Sequence, residues 1–91
     1  MDKITSDNLY IGISGDSLKT EVNCEVVAQM PKDRIVVHSM TSLRKDSYGY
    51  QFVKSKKASP LMQIYEVVAH LKRMALGEII EQTFTNATKL L

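Results

Sequence analysis

The chain has 91 residues, 44% of them hydrophobic and 24% charged, with a formal net charge of +2, which is the profile of one folded globular domain and excludes a disordered chain. No run approaches the roughly 20 apolar residues of a membrane helix, and Asp2, Lys3 and Asp7 stand where a signal peptide would be apolar. Cys24 is the sole cysteine, so an internal disulfide is excluded and a reducing, cytoplasmic location is expected.

From Asn8 to Ser14 the apolar residues Leu9, Ile11 and Ile13 alternate with Tyr10, Gly12 and Ser14, which predicts a strand over about 8–14. Gly15-Asp16-Ser17 supplies turn chemistry. Val22, Cys24, Val26, Ala28 and Met30 then share one parity against Glu21, Asn23, Glu25 and Gln29, predicting a second strand over about 20–30. Pro31-Lys32-Asp33 turns the chain into a third strand over about 34–40, where both parities are apolar and both faces can be covered. Tyr48, Tyr50 and Phe52 alternate with Gly49, Gln51 and Val53 and predict a fourth strand over about 48–54.

Ser59-Pro60 joins a good helix cap to a residue preorganised for the first helical position. Leu61, Ile64, Tyr65, Val68, Leu71 and Ala75 continue it as an apolar stripe, predicting a helix over about 60–76 that Gly77 ends. Ile79, Ile80, Thr83, Phe84 and Ala87 mark a shorter helix over about 78–89. Four strands before two helices, without βαβ alternation, predict a single α+β domain over 1–91. Its sheet is expected to be a four-stranded antiparallel meander with a long and a short C-terminal helix packed on one face.

The charge is clustered. Residues 1–40 carry four basic and six acidic side chains, residues 41–57 five and one, and residues 58–91 three of each. Arg44, Lys45, Lys54, Lys56 and Lys57 surround Tyr48 and Tyr50, a mixture that attracts phosphates and offers rings to unpaired bases. Nucleic acid is therefore one possible partner. The competing reading buries the aromatic residues in a core that has few of them.

Catalytic signals are weak. Cys24, His38 and His70 are not at chelating spacing, so no metal and no cofactor is expected. Cys24 reads as a small buried hydrophobe and His70 as the partner of Glu66 one helical turn before it. Gly12-Ile13-Ser14-Gly15-Asp16-Ser17 is neither a nucleophile elbow nor a phosphate loop, and no nucleophile, base and orienter stand together. No motif is specific enough to assign a family.

On this reading Val27, Val36, His38, Met40 and Val53 occupy an outer sheet face and, with Leu90 and Leu91, mark a self-association surface. The expected function is a small non-catalytic binding or regulatory protein that works as a homo-oligomer through protein contacts, with no membrane partner. The alternative is a protein binding single-stranded nucleic acid or another polyanion through 44–57; a third is a small-ligand binder or enzyme with its site between subunits.

Overall fold

A computed structural model describes residues 10–38 and 41–90. Strand β1, Ile11–Ile13, leads through a 3₁₀ turn, Gly15–Leu18, into helix α1, Glu21–Gln29. A second 3₁₀ turn, Lys32–Arg34, feeds strand β2, Ile35–Val37. The two strands are parallel, with Ile11 opposite Ile35, Gly12 opposite Val36 and Ile13 opposite Val37. Parallel neighbours require a crossover of a dozen residues or more, usually helical, and α1 is that crossover. After a third 3₁₀ segment, Tyr48–Phe52, come α2, Pro60–Lys72, and α3, Leu76–Leu90.

The expected four-stranded antiparallel meander is thus replaced, among the described residues, by a βαβ unit followed by two helices. Residues 20–30 are helical because Thr20 caps them: its Oγ1 accepts from the Asn23 N–H at 3.1 Å. In that helix Cys24 and Val27, three apart, are buried, whereas Val22 is 67% exposed. The period-two alternation there does not describe the inward face. Residues 48–54 fail as a strand for another reason. Tyr50 N donates to Ser47 O and Val53 N to Tyr50 O, closing 3₁₀ turns. Gly49 is pressed so closely on Leu18 and Val67 that a Cβ would come within 3.0 Å of the Leu18 carbonyl oxygen.

Strand pairing puts Ile11, Ile13, Ile35 and Val37 on one sheet face, where Ile13 and Ile35 join Leu18, Cys24, Val27, Ile64, Val67, Val68 and Ile79 in the buried core. Gly12, Val36 and His38 fall on the other face. Val27 and Val53 are core residues, so neither belongs to an outer sheet face. Met40 and Leu91 lie outside the described residues.

Two polar side chains fix the layers. Asn86, fully buried on α3, donates through Nδ2 to Lys32 O at 2.9 Å and Ile35 O at 2.7 Å, holding the entrance of β2. Lys72 at the end of α2 donates through Nζ to Ala28 O at 2.9 Å and to Met30 O, closing the carboxyl end of α1. Ser59 Oγ accepts from Met62 N at 3.2 Å and caps α2, where Pro60 is the first residue. The helix ends at Arg73, in the left-handed region with φ 56°, rather than at Gly77, which sits inside the first turn of α3.

Candidate active site

Ligands of parallel α/β folds bind outside the carboxyl ends of the strands, on the connections that follow them. Here the connections leaving β1 and β2 are locked together. Gly15 N donates to Thr41 O at 2.8 Å, Asp16 N to Thr41 Oγ1 at 3.0 Å, and Thr41 Oγ1 to Ser14 Oγ at 2.8 Å. Ser14 N also donates to Ser17 Oγ at 3.2 Å. Gly15 is required by this crossing, since a Cβ there would lie 2.1 Å from the Ser42 carbonyl oxygen.

His38 follows β2 and extends the ladder, its N–H donating to Ile13 O at 3.0 Å. Its imidazole lies across Gly12: a Cβ at position 12 would be 2.6 Å from Nε2. The missing side chain of Gly12 is the space the ring occupies. The strand-end rim therefore carries the exposed Asp16 carboxylate, the half-buried Thr41 hydroxyl and the buried Ser14 hydroxyl, and the exposed His38 imidazole lies over Gly12 on the adjoining sheet face. Such groups can donate to, accept from and exchange protons with an oxygen-rich substrate. Among the described residues no three His, Cys, Asp or Glu side chains come together to hold a metal ion.

The connection from β2 to α2 holds the basic segment. Arg44 pairs with Asp46 at 3.3 Å, and both side chains are exposed. Lys56 Nζ donates to Tyr50 O at 3.1 Å and sits 4.1 Å from the centroid of the half-buried Tyr50 ring. Tyr48 is 36% exposed and meets Phe52 edge to face at 5.9 Å. Lys45, Lys54 and Lys57 are exposed. Of the proposed self-association residues, Val36 is half-buried and His38 exposed on the open sheet face, while Leu90 ends α3. Glu66 and His70 do not pair: Glu66 Oε1 accepts from Ser55 N at 3.2 Å, and His70 stacks on Phe52 at 4.2 Å.

The sequence pattern shows Gly15 to Ser17 only as a turn and does not single out Thr41. The signal that could have found the rim was the strand before Ser14 together with the doubly apolar strand before His38, since strands covered on both faces are typical of parallel sheets.

No family model matches the chain. The whole chain is 30% identical, over 115 aligned positions, to a Schizosaccharomyces pombe protein named deoxyribonuclease Tat-D. It is 31% identical over 92% of its length to a Vairimorpha ceranae protein named for its homology to the deoxyribonuclease TATDN1. The matches occupy 37% and 36% of those relatives, so the chain spans a little over a third of their length. The fold is shared with a TatD family hydrolase from Entamoeba histolytica, with TM-score 0.84, 19% identity, and coverage of 94% of this chain and 36% of the other. An uncharacterised amidohydrolase from Saccharomyces cerevisiae gives TM-score 0.79 and 20% identity, with coverage of 90% and 33%.

These likenesses overturn the expectation of a non-catalytic binding or regulatory protein, and equally that of a purely nucleic-acid-binding one, because the relatives are named as enzymes. Among the described residues no helix is long and apolar enough to cross a membrane.

Proposed function

We propose that this chain forms the substrate-positioning part of a DNA phosphodiester hydrolase of the Tat-D kind. The 30% identity of the entire chain to a protein named a deoxyribonuclease carries the reading. The strand-end rim supports it, because βα connections are where such folds place their chemistry. Lys45 and Lys57 meet the DNA backbone as point charges, and Tyr48 offers the exposed edge of its ring. Ser14 and Thr41 are fixed by each other and by the Asp16 N–H, so their orientation is set before substrate arrives. His38 faces the scissile phosphate and moves a proton, either from the attacking water or to the departing oxygen. No step passes through a metal held by the described residues, which do not assemble a ligand set.

A chimera tests the reading: the S. pombe relative with its matching stretch replaced by this chain. The expected result is a folded protein that cleaves an end-labelled DNA oligonucleotide. A chimera that melts cooperatively, binds DNA and leaves it intact, while the unaltered relative cleaves it, contradicts the proposal.

A further inference from the structure

Away from the strand-end rim, a cavity of about 550 Å³ opens between the end of the basic connection, the second half of α2 and the turn into α3. Its wall carries Lys54, Glu66, His70 and Arg73 beside Met74 and Leu76. Two basic side chains against one carboxylate leave it net positive, and the thioether and leucine provide an apolar side. The polar groups are partly fixed before any ligand binds. Glu66 is held by the Ser55 N–H at 3.2 Å, and the His70 ring is held against Phe52 at 4.2 Å with an interplanar angle of 17°.

Arg73 supplies an independent observation. It is the one residue other than glycine with positive φ among those described, at 56°, and it ends α2 where glycine is the unstrained choice. An arginine at such a position costs stability, and strain of this kind collects at functional sites. Its planar donor fork suits a phosphate better than any other side chain does.

We propose that this cavity binds a nucleotide phosphate, either of a free nucleoside monophosphate or of a DNA strand end, with Lys54 and Arg73 on the phosphate. The base lies flat against Met74 and Leu76, next to the His70–Phe52 stack, and the remaining Glu66 oxygen accepts from a sugar hydroxyl or base amine. The site is separate from the rim, so it stands whether or not DNA is hydrolysed there.

The test is calorimetric titration of the full chain with deoxyadenosine 5′-monophosphate, with inorganic phosphate, and with a 5′-phosphorylated oligonucleotide. Saturable binding of the mononucleotide is expected, weakened about tenfold or more in Arg73→Gly, the loss of one charge-assisted contact. Arg73→Gly is also expected to melt higher than the wild type, because glycine relieves the left-handed cap; a lost ligand with a gained melting temperature cannot come from misfolding. Lys54→Gln is expected to weaken binding without changing the melting temperature. Oligonucleotide binding that Arg73→Gly weakens as it weakens mononucleotide binding identifies a strand end as occupant, and oligonucleotide binding that Arg73→Gly leaves unaltered while mononucleotide binding falls identifies the free nucleotide. Absence of saturation, equal affinity for inorganic phosphate and the mononucleotide, or unaltered affinity in Arg73→Gly overturns the proposal.

Discussion

Replacing Asn86 by leucine removes the fastening between α3 and the entrance of β2. Asn86 is fully buried, and its two Nδ2 hydrogens are spent on Lys32 O and Ile35 O, while Oδ1 accepts from Gln82 Nε2 at 3.0 Å. Leucine keeps the volume and loses all three bonds. A buried carbonyl left without a donor costs about 1–3 kcal/mol. Ile35 O carries the larger share, because its bond is the buried one, while Lys32 O and Gln82 lie nearer the solvent. The expected loss is about 2–4 kcal/mol, which for a domain of this size lowers the melting temperature by roughly 10–25 °C. Asn86→Asp should be at least as damaging near neutral pH, because a carboxylate brings only acceptors to two acceptors. Urea unfolding followed by circular dichroism measures both variants. A loss below about 1 kcal/mol for Asn86→Leu, with an unchanged denaturant slope, would refute the claim that this amide holds the strand.

Gly12→Ala is expected to fold with a melting temperature near that of the wild type, yet to shift the His38 ring signals in a carbon–proton NMR correlation, because the new methyl takes the place of Nε2. Thr20→Ala should cost about 1 kcal/mol by removing the cap of α1. Burial raises the Cys24 thiol above its ordinary 9.0; above pH 9 the unfolded chain therefore loses this proton first, and the stability advantage of the wild type over Cys24→Ala should shrink as pH rises. Comparing urea midpoints at pH 7 and pH 10 reads that difference. Lys45→Gln together with Lys57→Gln should flatten the log–log salt dependence of DNA binding by roughly 0.7–0.9 per lost phosphate contact, read by fluorescence anisotropy.

Local signals mark both strands among the described residues and both C-terminal helices. Ile11 and Ile13 lie in a strand, the segment around Ile35 to Val37 is apolar on both faces as a parallel strand can be, and Ser59-Pro60 opens α2 as that pair is suited to do. What misled was α1. Its residues Val22, Val26 and Val27 are β-branched, and its alternation mimics a strand, while the deciding features are a single threonine cap and the three-residue spacing of Cys24 and Val27. Taken as a strand, that segment hides the βαβ unit, and with it the rule that points to strand carboxyl ends. His38 then falls on a self-association face, and Gly15 to Ser17 in a plain turn. The crossing of Gly15 with Thr41 and Ser42 joins residues 26 and 27 positions apart, a contact that no local pattern encodes.

On the proposed reading, this chain places its own side chains at the phosphate being hydrolysed. Turnover of an end-labelled oligonucleotide by the S. pombe chimera, compared with the same chimera carrying His38→Ala, tests it most directly. A loss of about 10²–10⁴-fold in kcat, with DNA affinity and melting temperature retained, is the expected result for a proton-transferring imidazole. Undiminished turnover in His38→Ala would show that His38 moves no proton in the reaction.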